Sequence, residues 1–153
     1  MTTIYVDADG CPVKEEIYRV AKRHLVPVIL VANTWMRLPD LSLVRLQQVG
    51  DGFDEADDWI VENARAGDVA VTTDIPLAAR LIEKDVRVVG PRGREFKEDQ
   101  IGNALATREV LSHLRDMGEV TGGPPPMRPK DRSKFLSAFH EIVEQELRKK
   151  RKG

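Results

Sequence analysis

Short runs of β-branched and aliphatic residues recur along the chain, each closed by turn-forming or polar residues: Ile4 to Val6, Val28 to Ala32, Val69 to Thr72 and Val86 to Val89. Runs of this kind read as strands buried on both faces of a parallel sheet. Leu43 to Val49, in which Leu43, Arg45 and Gln47 are interleaved with apolar residues, reads as a weaker fifth strand. Between the strands the period changes. Val13, Ile17, Val20, Ala21 and His24 fall on one helical face, as do Ala56, Trp59, Ile60 and Ala64, and then Leu77, Ala78, Leu81 and Ile82. Alternating strands and helices predict an α/β fold with a mainly parallel sheet.

Beyond Gly90-Pro91-Arg92-Gly93, the spacing of Ile101, Leu105, Leu111 and Leu114 predicts a long helix from about Glu98 to Met117, stopped by Gly118. Thr121 to Pro129 contains Gly122, Gly123 and four prolines. It is expected to be a stiff loop, because proline lacks the N–H and restricts the residue before it. A last helix is predicted from Asp131 to Arg148, with Leu136, Phe139, Val143 and Leu147 on one face and a frayed Lys149 to Lys152 end.

The 153 residues fit one compact unit with a real core. An α/β domain over residues 1–119 is expected to carry residues 120–153, the loop and C-terminal helix with its basic tail, packed on the same body. A formal charge of −1 gives no global basic field, so any nucleic-acid contact must come from a local patch. The single cysteine, Cys11, excludes an internal disulfide framework and a cysteine-rich zinc site. No stretch approaches the roughly 20 apolar residues that span a bilayer, and the chain runs straight into a strand without a charged-then-apolar leader. A cytoplasmic protein without membrane contact is the expectation.

The chemistry gathers on aspartates. Asp7 and Asp9 end the first strand, and side chains two apart in an extended chain share one side. Like charges so close repel unless a cation or proton lies between them. Asp74 ends another strand in Val71-Thr72-Thr73-Asp74, and Asp54, Asp57 and Asp58 occupy the first turn of the Trp59 helix. In an open parallel sheet the carboxyl ends of the strands form the ligand site, where Asp7, Asp9, Asp74 and Asn33 would lie. Aspartates at helix N-termini also act as caps, and that account suits Asp74 before Ile75-Pro76. It suits Asp7 poorly, because Asp7 comes directly off a buried strand. An all-carboxylate cluster selects a hard cation, Mg²⁺ or Mn²⁺, and such sites serve phosphodiester hydrolysis.

Other groups take lesser parts. His24, His113 and His140 fall inside helical patterns and read as surface or core-edge residues. Cys11 before Pro12 reads as a small buried filler, with a low-pKa thiolate as the alternative. Thr72 reads as a β-branched strand residue, and Thr73 is a candidate for positioning substrate or Asp74. Arg92, Arg94, Lys97, Arg128, Lys130, Arg132 and Lys134 lie in or beside loops, where they can meet phosphates; Asn33, Thr73, Arg92, Arg94 and Arg132 are the candidate substrate contacts. No aromatic platform for stacking bases is evident.

Val6-Asp7-Ala8-Asp9-Gly10-Cys11-Pro12-Val13, Val31-Ala32-Asn33, Gly52-Phe53-Asp54-Glu55-Ala56-Asp57, Thr73-Asp74-Ile75-Pro76-Leu77-Ala78, Pro91-Arg92-Gly93, and Gly122-Gly123-Pro124 followed by Asp131-Arg132-Ser133-Lys134-Phe135 resemble the YaiI/YqxD family of uncharacterised bacterial proteins. The resemblance covers nearly the whole chain. That family is similar to PIN-like nuclease folds, three-layer α/β structures in which strand-end aspartates bind Mg²⁺ or Mn²⁺ and cut RNA or structured DNA. It implies Asp7 as the first-strand ligand, Asp54 or Asp57 as the middle acid and Asp74 as the acid of the Thr-Thr-Asp motif, with Asp9 beside them. Two other readings stay open. One is a haloacid-dehalogenase-type phosphatase with Asp7 as nucleophile and Asp9 as acid/base. The other is a non-catalytic RNA-binding protein that uses the basic loops and tail.

Overall fold

The computed structural model describes residues 2–52, 54–98 and 126–152. In chain order its elements are β1 (Ile4–Asp7), α1 (Lys14–His24), β2 (Val28–Ala32), β3 (Val44–Gln48), α2 (Glu55–Asn63), β4 (Val69–Val71), α3 (Ile75–Ile82), β5 (Arg87–Val89), β6 (Glu95–Phe96) and α4 (Pro129–Lys152). All but the first residue of the helix expected over 98–117, and the Gly/Pro-rich loop as far as residue 125, lie outside the described residues.

The strands form one sheet in the order β3-β2-β1-β4-β5-β6. All its pairs are parallel except the last, β5 with β6. Period-two alternation sorts the strand residues onto two faces. Ile4, Val6, Val28, Leu30, Val69 and Val71 pack with Ile17 and Val20 of α1 and with Phe135 and Phe139 of α4. Tyr5, Ile29, Val31, Ala70 and Val88 pack with Ile60 of α2 and with Leu77 and Leu81 of α3. The result is the mainly parallel sheet between two helical layers that the alternating pattern predicts. β6 has no counterpart in the predicted strands, because two residues, one of them charged, carry no periodic signal.

Local chemistry sets the helix ends. Asp74 caps α3, accepting from the Leu77 N–H at 2.9 Å, with Pro76 in the first turn, where a missing N–H is no loss. α1 ends on Leu25, which takes the left-handed conformation at φ 55 that glycine usually supplies. α4 is longer at both ends than the pattern from Asp131 to Arg148. Pro129 opens it, and the Asp131 carboxylate accepts from the Arg128 N–H at 3.0 Å. Helix also continues through the lysines expected to fray. Lys149 reaches Glu146 three residues back, at 3.3 Å, and cations suit a helix C-terminus. The buried face of α4 is Phe135, Phe139, Ile142 and Val143; Leu136 and Leu147 sit at its margins.

Arg87 fastens α4 to the sheet. Its Nε and Nη2 donate to the two Glu95 oxygens, both at 2.9 Å, and its Nη1 donates to Gln145 Oε1 at 2.7 Å. The buried carboxylate of Glu146 lies 3.9 Å from Arg87 Nε. The turn before β6 lies against the same helix. Gly93 has φ 89, and a Cβ there would stand 2.8 Å from the Lys134 carbonyl oxygen. Among the described residues no helix is long and apolar enough to cross a membrane.

Candidate active site at the strand ends

The strand order reverses between β1 and β4, and crevices at such reversals hold ligands in open α/β sheets. Asp7 ends β1 with the parity of Tyr5, so its side chain leaves the sheet toward α2 and α3. Val6 pairs with Val71, which brings Thr72 beside Asp7. The Thr72 hydroxyl donates to Asp7 Oδ2 at 2.8 Å and accepts from the Asp74 backbone N–H at 3.0 Å. Thr72 is therefore more than the β-branched strand residue its sequence position suggests: its buried hydroxyl joins the two strand ends.

Of the two candidates for the middle acid, Asp57 belongs to α2 and Asp54 precedes it. Asp57, in the first turn of α2, is pushed up to about 6, first by burial and then by the charges of Asp74, Asp7 and Asp54. Arg80 opposes this, as the smallest of the causes, and is itself paired with Asp58 at 2.9 Å. The Asp7 carboxyl is also raised, chiefly by burial; the Thr72 hydrogen bond counters this, and Asp74 and Asp9 add to it. Asp7, Asp57 and Asp74 thus share one mouth. Asp54 precedes α2 in the left-handed conformation, φ 63, without capping it, and Asp58 is turned toward α3.

Asp9 is held differently. Its Oδ2 accepts from the Asn33 backbone N–H at 2.8 Å and its Oδ1 from the Thr34 hydroxyl at 3.2 Å. It pins the β2–β3 loop, while the Asn33 side chain stays exposed. The Ala8–Cys11 turn closes with the Cys11 N–H on the Ala8 oxygen at 3.2 Å. Gly10, at φ 77, supplies the positive φ that the third residue of a type II turn requires. Next to the pinned residues, Trp35 is 72% exposed, an aromatic surface absent from the sequence reading because a lone tryptophan is usually core.

Asp7, Asp9, Cys11, Thr72, Thr73 and Pro91 line a cleft of about 20 Å³, enough for one water-sized occupant. Burial pushes the Cys11 thiol up, which fits the filler and opposes a thiolate nucleophile. Two candidate substrate cations are engaged with protein. Arg92 pairs with the buried Asp131 at 3.4 Å, and Arg132 donates to the Pro12 oxygen at 2.6 Å and to Glu16 at 3.3 Å. Arg94 is exposed on the β5–β6 turn. A larger cleft among the described residues, about 870 Å³, lies at the other end of the strands between β5, β6 and α4 and includes none of the predicted site residues.

The donor chemistry fits a hard cation. Among the described residues the aspartates do not bring three ligand atoms within 4.8 Å of one another; only His24, His140 and Glu144 do so. In this arrangement a hard cation such as Mg²⁺ would take at most two of the carboxylates directly, with waters completing its shell.

A family model described as an uncharacterised BCR, YaiI/YqxD family, matches residues 5–145. The chain belongs to the YaiI/YqxD family. It is similar to UPF0178 proteins of Bradyrhizobium diazoefficiens, 54% identical over 142 residues, covering 93% of this chain and 85% of that protein, and of Rhodopseudomonas palustris, 47% identical over 150 residues, covering 98% and 95%. A Brucella ovis relative is 52% identical over 151 residues, covering 98% and 92%. No solved structure matches the chain at a significant level. The family carries no assigned activity, so function rests on the site.

Proposed function

We propose that the chain is a Mg²⁺- or Mn²⁺-dependent phosphodiesterase acting on nucleic acid, RNA in preference to DNA, within a PIN-like fold. The observation that carries this reading is the convergence of Asp57, Asp7 and Asp74, with the Asp57 carboxyl raised to about 6 by burial and by its acidic neighbours. Mutually repelling carboxylates at a ligand crevice are costly to a protein that has no cation to put there. One or two of Asp7, Asp57 and Asp74 would hold the metal directly, and the remaining acids, with Asp54 at the rim, would reach it through its waters. Bound there, it would supply a water of lowered pKa and neutralise charge on the scissile phosphate.

The protein's own groups prepare that chemistry. The Thr72 hydroxyl fixes one Asp7 oxygen and leaves the other for a ligand. Asp74 holds α3 in place through its cap. Asp9 braces the β2–β3 loop, so that Asn33, Trp35 and the exposed Thr73 and Arg94 are available to substrate around the cleft. The phosphatase reading asks Asp9 for acid/base work, and both Asp9 oxygens are engaged by the loop. A reducing cytoplasm is the compartment this reading implies, in keeping with a single half-buried cysteine.

The test is cleavage of single- and double-stranded RNA and DNA oligonucleotides by the purified chain with Mg²⁺ or Mn²⁺, beside Asp7→Asn and Asp74→Asn. The expected result is metal-dependent cleavage, fastest on RNA and lost in both variants while they stay folded. Salt-sensitive RNA binding that survives Asp74→Asn, with no cleavage by wild type, would instead establish the non-catalytic alternative.

A further inference from the structure

The only imidazole pair among the described residues lies where α1 meets α4. His24 is the last residue of α1, and His140 and Glu144 are one turn apart on α4. His24 Nε2 and His140 Nδ1 are 3.2 Å apart, with ring planes tilted by 35°. Glu144 Oε2 lies 3.1 Å from His140 Nε2. One ligand atom from each residue falls within a common 4.8 Å. Nothing in the strand-end reading uses these groups.

From this geometry we propose a second metal site, for Zn²⁺, made by His24, His140 and Glu144 and joining α1 to α4. His140 can bind through one nitrogen only: its Nδ1 stands from His24 Nε2 at close to the distance, about 3.3 Å, that tetrahedral ligands about 2.05 Å from zinc keep, and Glu144, whose Oε2 faces Nε2, joins them by a side-chain rotation within the 4.8 Å group. The pairing of His140 and Glu144 at i, i+4 puts two ligands on one helical face, and the C-terminus of α1 adds a partial negative charge that favours a cation beside His24. Two imidazoles and a carboxylate select zinc over magnesium. Arg148 takes Oε1, at 2.6 Å, and Oε2 remains on the histidine side. With three protein ligands, water completes the shell.

The 11 residues of α1 separate this site from Cys11 and the aspartate cleft by about 16 Å, so the two metals are tested apart. Metal-stripped full-length chain is titrated with Zn²⁺ in millimolar Mg²⁺, which occupies the carboxylate cluster, and with Co²⁺ to read coordination from its visible absorption. One Zn²⁺ per chain is expected, with a rise in melting temperature. Losing even an outer-shell partner costs a metal site about 10–100-fold in affinity, so His24→Gln, His140→Gln and Glu144→Gln should each weaken binding by about tenfold or more. Asp7→Asn should leave it unchanged. Circular dichroism checks the fold of each variant, and Glu144→Gln, at a half-exposed position, keeps the test valid if a histidine variant unfolds. No Zn²⁺ binding by wild type, or equal binding by folded Glu144→Gln, overturns the site.

Discussion

Asp57→Asn should stabilise the metal-free protein. The carboxyl is raised from 3.8 to about 6 in the folded chain, above its unfolded value of about 3.9. Between those limits the folded state binds more protons than the unfolded state, so stability falls as pH rises from about 4 to about 6 and stays low above that. At 1.36 kcal/mol per pH unit the whole displacement corresponds to about 3 kcal/mol at pH 7. Partial exposure to water halves this to about 1.5 kcal/mol. Asparagine in the first turn of α2 forfeits about 0.5 kcal/mol of charge–dipole energy, which leaves a net gain of about 1 kcal/mol, or about 2–4 °C in melting temperature. Urea unfolding of both proteins in EDTA at pH 7 and pH 4 measures it. The advantage of the variant should shrink as the pH falls, and Mn²⁺ should stabilise wild type more than the variant. A variant less stable than wild type at pH 7, or a pH-independent difference, would refute the claim that Asp57 sits among unneutralised acids.

Two further outcomes follow from the packing and the loop. Arg87→Ala leaves the buried Glu146 and the half-buried Glu95 without their guanidinium and should cost about 2–4 kcal/mol in urea unfolding. Arg87→Lys should recover only part of that, because an ammonium cannot span both Glu95 oxygens, and a loss below about 0.5 kcal/mol would contradict the fastening role of Arg87. Trp35→Ala should leave the melting temperature unchanged, since the ring is 72% exposed. It should weaken single-stranded RNA binding by about 1–3 kcal/mol per stacked base, measured by fluorescence anisotropy in Ca²⁺; equal affinity would remove Trp35 from the substrate path.

Four of the five parallel strands were legible because β-branched runs bounded by turns leave few alternatives, and β3 because apolar residues alternate with Arg45 and Gln47. The strand-end aspartates were legible because Asp7 follows a buried run without a break, and a capping role cannot explain that. The contributions of Thr72, Arg87 and the His24–His140 pair were not. Thr72 joins Asp7 across 65 positions and His24 meets His140 across 116, and a helical period gives no sign of which distant helix will lie alongside. Phe135 was visible in the Asp131 to Phe135 motif but absent from the predicted buried face of α4. The buried face spans Phe135, Phe139, Ile142 and Val143 and ends on the buried Glu146, and the charge at its end hides part of it from a purely hydrophobic pattern.

The position of α4 has a consequence for synthesis. It is the last of the described elements to leave the ribosome, yet Phe135 and Phe139 complete one entire face of the sheet. Until they arrive, α1 is the only helix among the described residues that covers Ile4, Val6, Val28, Leu30, Val69 and Val71, and a nascent sheet with open apolar surface is prone to association. The opposite face, which carries Asp7, Asp57 and Asp74, draws its cover from α2 and α3 and can assemble earlier. The acidic mouth can therefore form on a chain whose other side still waits for Phe135 and Phe139 of α4.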